Sequence, residues 1–415
     1  MTQELNTSNT TSIQKPSVQI QCDWEYSFKQ KETSSSKFWI NIHRSNKKPT
    51  YSEVEVTRQP DHKFKLKLSH PEQFDITSYD PYGRWIEVKV DDVTTKFHAP
   101  VDTYEKVHTG EAVECIGLSA GGNIAITGSQ NGKLRVWDAR SGTLRRDLQG
   151  HVGDIYVAKI LPSSEVAMSA SADTQIKIWR LSDGLCAATL KGHSAGVLSL
   201  SFIDRGRNFT SSSRDGTVRL WDCATQSEIS TLVKNHTSSA VVECCVDINT
   251  SLSPTDQPSL SEKDFSTQGK ILLCASANGS IKAVDIRSRT LVFNALYSKT
   301  LTTCGLFNGY NAFAGSNDGH LVHYDLRYIQ SDSKQVQNVF DFKRGDTAIY
   351  SLAYDGNEKI WCASGDGSCY LLDINNKSVL CDLTGPDSKL SKVACNNKNV
   401  YTCCKDGRIR RYHLA

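Results

Sequence analysis

Residues 192–223 read GHSAGVLSLSFIDRGRNFTSSSRDGTVRLWDC. The stretch opens on Gly192-His193, runs through two short apolar segments, turns at Ser213-Arg214-Asp215-Gly216 and closes on Trp221-Asp222. Val218 and Leu220 alternate with Thr217 and Arg219, the period of a half-exposed strand. Asp215-Gly216 supplies tight-hairpin chemistry. His193, Ser213, Asp215 and Trp221 carry the groups of a relay, from indole N–H through hydroxyl and imidazole to carboxylate. Such a relay satisfies polar groups that would be costly to bury alone.

Outward from this stretch the same unit recurs. Its closing strand appears as KLRVWD, QIKIWR, TVRLWD, SIKAVD, HLVHYD, SCYLLD and RIRRYH, with the tryptophan position at residues 137, 179, 221, 284, 324, 372 and 412. A period of about 40–45 residues, four short strands per unit, is the signature of a WD-repeat β-propeller, since one blade alone cannot bury its faces. Seven endings predict seven blades and an all-β fold. The turn before each ending recurs too, as in Ser129-Gln130-Asn131-Gly132 and Ser316-Asn317-Asp318-Gly319. Blades 2 and 3 keep all four relay residues: His151, Ser171, Asp173 and Trp179, then His193, Ser213, Asp215 and Trp221. Later blades carry Val284, Tyr324, Leu372 and Tyr412 at the tryptophan position, so their packing is expected to rest more on apolar contact.

The flanking segments complete the organisation. Residues 1–16 are polar and expected to be disordered. Residues 17–95 alternate in strand-like runs such as VQIQCDW, KFWINIHR and WIEVKV without the blade marks, which predicts a small β-rich N-terminal domain ahead of a propeller over 96–415. Lys63, Lys65 and Lys67 fall on one strand face, read as edge protection or as a docking patch for an acidic partner. Between blades 3 and 4 the period stretches, and the polar insertion at 250–269 is expected to be a flexible loop. The chain stops after the third strand of blade 7, so the missing outer strand is expected from about residues 96–106.

Charge and cysteine usage narrow the function classes. Lys plus Arg number 48 against 45 Asp plus Glu, a net charge of +3 without the clustered basic excess of a nucleic-acid or membrane-surface binder. No apolar run is long enough to span a bilayer, and the N-terminus lacks signal-peptide features, so a soluble intracellular protein is expected. The 14 cysteines contain no Cys-x-x-Cys pair and read as small buried hydrophobes. Adjacent Cys403 and Cys404 near His413 point to opposite strand faces, which argues against a metal site. The His/Ser/Asp sets superficially resemble catalytic triads, but they recur at the same place in successive blades, as a packing device does. No phosphate loop or metalloprotease motif occurs, and no cofactor is implied.

Binding is therefore the expected work of the ring. Register places Asp154, Tyr156, Gln130, Arg214, Asn317, Tyr350 and Lys405 on the top face, the one lined by the d–a and b–c connections, as candidate partner-binding residues. Aromatic and arginine side chains among them are plausible anchors.

Particular stretches carry a narrower likeness. Ile203-Asp204-Arg205-Gly206-Arg207-Asn208 followed by SSSRDGTVRLWDC resembles the proteasomal ATPase-associated factor 1 family, WD-repeat chaperones of the proteasome regulatory particle. So do LQGHVGDI (148–155), LKGHSAGVL (190–198), GDGSCYLLD (365–373) and YTCCKDGRIRRYHL (401–414). The resemblance implies a non-enzymatic assembly chaperone, monomeric, in cytoplasm and nucleus. It would bind proteasomal ATPase subunits of the base through their C-terminal domain and hinder premature association with the core particle. Asp154 is then a candidate charged contact. The alternative is a WD-repeat adaptor recruiting substrates to a ubiquitin ligase or a chromatin complex; a catalytic propeller stands third.

Overall fold

Short alternating segments bounded by turn residues favour strands, and in this chain they pair antiparallel in groups of four. The computed structural model describes residues 16–29, 35–44, 47–59, 63–235, 239–248, 261–329, 338–396 and 398–414. Seven innermost strands ring the axis: Val113–Leu118, Ile155–Ile160, Val197–Ile203, Val241–Ile248, Leu301–Phe307, Ile349–Tyr354 and Leu390–Cys395. Each packs against the next, and the seventh returns to the first. The cores lie between blades. Cys115, Ile126, Leu134, Val136 and Leu148 of blade 1, for example, pack with Ile155, Ala158, Ile160, Ala167 and Trp179 of blade 2. Burying a large apolar side chain contributes about 1.5–3 kcal/mol, so each blade is stabilised chiefly by its neighbours.

Two hairpins show why glycine ends the b–c turn. Gly279 and Gly319 have φ of +86° and +85°, and a Cβ on either would fall 2.1 Å from a backbone oxygen, that of Tyr297 or Gly345. Both the left-handed backbone and the close approach exclude a side chain.

Blade 7 takes its outer strand from Asp102–Tyr104, which pairs antiparallel with Ile409, Arg410 and Arg411. Tyr104 then packs on Trp137 of blade 1, ring centroids 5.1 Å apart, and its hydroxyl donates to Arg140 O at 2.9 Å. The N-terminal segment thus joins the last blade to the first.

The N-terminal domain is two layers. Ser17–Ile20, Ser35–His43, Thr50–Arg58 and Phe64–Leu68 form one sheet, in that order. Asp75–Tyr79, Trp85–Val90 and Val93–His98 form the other, with Trp24, Phe28, Phe38, Ile40, Ile86 and Val88 in the core between them. Phe64–Leu68 is an edge strand; Lys63, Lys65 and Lys67 are exposed while Phe64, Leu66 and Leu68 pack inward, an arrangement that suits edge protection.

The second layer does not stop at residue 95. Val93–His98 pairs in parallel with the outer strand of blade 6, Ser378–Leu383, so that blade continues into the N-terminal domain as a seven-stranded sheet. Trp24 Nε1 donates to Thr384 Oγ1 at 2.9 Å, and the Thr384 N–H and hydroxyl both donate to His98 O. Arg344 pairs with buried Asp382 and donates to Val18 O at 3.1 Å.

Of the tail expected at 1–16, residues 1–15 lie outside the described residues, as do residues 250–260 of the insertion. The rest of that insertion is anchored on the ring, which corrects the expectation of a flexible loop up to residue 269. Phe265 lies under the Arg207 guanidinium at 3.1 Å, and its N–H donates to Asn208 Oδ1 at 2.6 Å. Asp264 pairs with Arg289 at 2.6 Å. Arg207 and Asn208 thus hold the root of the next blade's insertion.

Candidate interaction face and axial channel

The relays come first because they fix the turns that build the face. In blade 2, His151 Nδ1 lies 2.7 Å from Asp173 Oδ2, and His151 Nε2 lies 2.7 Å from Ser169 Oγ. Trp179 Nε1 donates to the same hydroxyl at 2.8 Å. Blade 3 repeats this with His193, Asp215, Ser211 and Trp221. The relay serine is thus Ser169 or Ser211, correcting the assignment to Ser171 and Ser213. Alternation puts i and i+2 on one strand face, and the indole and imidazole meet two residues inward from the turn. Ser171 and Ser213 serve the turn instead. Their hydroxyls donate to Gly153 O and Ala195 O, and accept the N–H of Asp173 and Asp215.

Electrostatics follow from this geometry. Burial pulls the Asp173 carboxyl up, but the His151 hydrogen bond and charge outweigh it and hold the pKa below the usual range. Burial holds the His151 pKa below its ordinary value despite that partner. Ser169 and Ser211 are fully buried and already engaged by an indole N–H, so no substrate carbonyl can reach them. These sets fasten blades; they do not form a nucleophilic site.

Elsewhere the fastening changes. Blade 1 uses Thr127, which takes the Trp137 indole N–H at 3.1 Å and meets His108 Nε2 at 2.9 Å. In blades 4–7, Val284, Tyr324, Leu372 and Tyr412 are buried among apolar neighbours. Polar links accompany them: Tyr297 and His320 on Asp341, Arg410 on Asp406, and the Tyr412 hydroxyl on Thr384 O at 2.6 Å. Apolar contact is only part of what replaces the relay.

One device shapes the top face. Every innermost strand has a register shift at its second residue, leaving Glu114, Tyr156, Leu198, Val242, Thr302, Tyr350 and Ser391 without a cross-strand partner. Each is partly exposed next to a buried residue. A bulge re-aims a side chain out of the alternation. Beside them, the b–c turn residue of each blade donates its N–H to the carbonyl just before strand a: Gln130 to Ala112, Ala172 to Asp154, Arg214 to Gly196, and so on round to Lys405 on Lys389.

All seven nominated residues lie on this face. Gln130, Arg214, Asn317 and Lys405 occupy b–c turns, Tyr156 and Tyr350 are bulge residues, and Asp154 immediately precedes strand a. The Arg214 guanidinium stands over the Tyr156 ring at 5.0 Å. Gln130 and Lys405 meet on the Glu114 carboxylate, and Asp154 accepts the Asn131 N–H at 3.2 Å. Asn317 is exposed. Sequence reasoning missed Glu114, Leu198 and Lys389, whose amine lies 3.5 Å from the Tyr350 ring centre. Glu114 and Leu198 sit one blade period on either side of Tyr156, so the same spacing could have found them. The face has two characters: Tyr156, Ala172, Leu198, Val242 and Ala277 make an apolar sector over blades 2–4, while Lys389, Lys405, Glu114 and Gln130 make a polar one over blades 7 and 1.

The axial channel holds a cavity of about 340 Å³. Lys392 of blade 7 reaches across it to Glu243 of blade 4, Nζ to Oε1, at 2.7 Å. The other Glu243 oxygen accepts the Cys304 N–H at 3.2 Å and the Thr303 hydroxyl. Burial pushes the Cys115 and Cys274 thiols up to about 12, so they behave as small apolar groups. Among the described residues no group of three or more His, Cys, Asp or Glu side chains is arranged to hold a metal ion, and no helix is long and apolar enough to cross a membrane.

Comparison with known proteins follows the same outline. Residues 99–138, 142–180 and 184–222 match the family described as "WD domain, G-beta repeat"; these end on the three blades that keep tryptophan. The chain is 37% identical over 406 residues to Proteasomal ATPase-associated factor 1 of Homo sapiens, covering 96% of this chain and 98% of that protein. It is 36% identical over 432 residues to the Dictyostelium discoideum protein named "Probable proteasomal ATPase-associated factor 1", covering 98% and 99%. With the Gallus gallus protein of the first name it shares 37% over 404 residues, covering 96% and 98%.

Proposed function

Since the chain belongs to the proteasomal ATPase-associated factor 1 family, we propose that it is a non-enzymatic assembly chaperone of the proteasome regulatory particle. In this reading it binds ATPase subunits of the base through their C-terminal domain and hinders premature association with the core particle. It acts as a monomer in cytoplasm and nucleus. The observation that carries the reading is the end-to-end likeness to proteins whose names state association with proteasomal ATPases. The top face supports it physically. A closed ring presents a rigid surface that loses little entropy on binding, and Tyr156 with Arg214 supplies an aromatic–arginine anchor beside an apolar sector. Steric occupation of a partner domain needs no hydrolysis.

Capture of the isolated C-terminal domains of the proteasomal ATPases, at two salt concentrations, tests this. Selective stoichiometric capture of one or two domains is expected, and salt sensitivity measures the share carried by charge. Arg214→Ala and Asp154→Arg are each expected to weaken capture by about tenfold or more. Failure to capture any domain refutes the reading. Capture of a cullin adaptor or a histone peptide in its place moves the protein to the adaptor class.

A further inference from the structure

The axial cavity carries a charge that the described residues do not balance. Three charged side chains line it: Lys159 of blade 2, Glu243 of blade 4 and Lys392 of blade 7. Glu243 is fully engaged, one oxygen on Lys392 and the other on Cys304 N–H and the Thr303 hydroxyl. Lys159 makes no hydrogen bond or ion pair with a described residue, although its ammonium has three donors. Two ammonium groups thus share one carboxylate on the channel wall, where all three side chains are half-buried and their charges only partly solvated. Further along the wall the lining turns apolar, with Leu118, Ile160, Phe202 and Phe307.

We infer that the axial channel is a binding site for a small carboxylate, its head group between Lys159 and Lys392 and its short apolar tail against Phe202 and Phe307. One negative charge completes the balance, which favours a monoanion over a phosphate dianion. The volume, about 340 Å³, falls at the low end of small-molecule pockets. Burial and the neighbouring Lys392 hold the Lys159 pKa below the usual amine value, and a bound carboxylate would draw it back up. The site lies down the channel from the top face, which it meets at Leu198, and does not rest on the chaperone reading.

Titration calorimetry on the full chain at constant ionic strength tests it, with sodium butyrate as probe. A second arm uses a tetrapeptide ending in leucine, with a free or an amidated C-terminus. The expected result is one-site saturation by butyrate or by the free peptide and none by the amide; which of the two binds distinguishes a free metabolite from a chain terminus. Lys159→Met should weaken binding by about tenfold or more, and Lys159→Arg should restore it to within about threefold. Absence of saturation by both carboxylates on the wild-type chain overturns the inference. So does a folded Lys159→Met variant that binds as tightly as wild type.

Discussion

Ser211→Ala should cost the ring far more than Ser213→Ala, although the two serines sit two residues apart on one strand. With the His193 Nδ1 proton held by Asp215 at 2.8 Å, Nε2 is an acceptor, and the Ser211 hydroxyl donates to it at 2.7 Å. The same oxygen accepts the Trp221 indole N–H at 2.7 Å. Alanine therefore orphans a buried donor and a buried acceptor at once, each at about 1–3 kcal/mol, for a loss of about 2–6 kcal/mol. Ser213→Ala removes bonds to Ala195 O and from Asp215 N–H, whose residues are partly open to water, and should cost about 1 kcal/mol. Trp221→Phe supplies the control. It deletes the indole N–H, so in the Ser211→Ala background it should cost about 1–2 kcal/mol less than in wild type. Urea unfolding followed by circular dichroism reads all four variants. A Ser213→Ala loss equal to or above that of Ser211→Ala, or an additive cycle, would refute the relay as drawn.

Three further outcomes follow from the same structure. Tyr104→Ala removes the side chain by which the closing strand packs on Trp137 and should cost about 3–5 kcal/mol in a thermal melt; an unmoved midpoint would deny that this strand joins the ring's ends. His98, His108 and His323 are buried, and burial holds each pKa down to about 4 against an ordinary 6.5. Between those values the unfolded chain binds more protons, so this stability is present above about pH 6.5 and lost as pH falls toward 4, with a slope of at most about 4 kcal/mol per pH unit; a flat profile of melting temperature over that window contradicts it. Gly279→Ala, with φ +86° and a backbone oxygen 2.1 Å from the new Cβ, should cost clearly more than Gly356→Ala, where φ is +89° but nothing lies within 4 Å. The second change should cost about 1–2 kcal/mol, and equal losses would show that the contact at residue 279 is relieved without strain.

The ring was legible in the sequence because its punctuation is local. Asp-Gly and Asn-Gly turns and the apolar closing strand persist even where tryptophan has become Val284 or Leu372. What needs depth or distance was not legible. Ser169 and Ser171 share a face and a residue type, so alternation alone cannot say which meets the indole. A bulge adds one residue without altering composition, and the seven at the top face left no mark beyond spacing. Glu243 and Lys392 meet across the axis although 149 residues separate them. The parallel pairing of Val93–His98 with blade 6 likewise has no sequence signature, since a strand's partner is not written in its own alternation.

The distribution of polar fastening along the ring follows from where its ends are joined. Blades 1–3 are fastened internally, each by an indole, a hydroxyl and an imidazole contributed within about 30 residues of chain. Blades 6 and 7 are fastened by residues far away in sequence: Trp24 on Thr384, Val18 O on Arg344, Asp102–Tyr104 on the last strand. The first kind of contact can form as soon as a blade is made. The second must await the whole chain and closes long loops, whose entropy is recovered only when the ring is complete. Blade 6, extended to seven strands by the N-terminal domain, does without a relay, whereas blades 4 and 5 lack one without that outer sheet and rest on apolar packing and, in blade 5, on the Tyr297 and His320 links to Asp341. The N-terminal segments thus fasten the ring where its last blades meet the first, which relays internal to blades 1–3 cannot do.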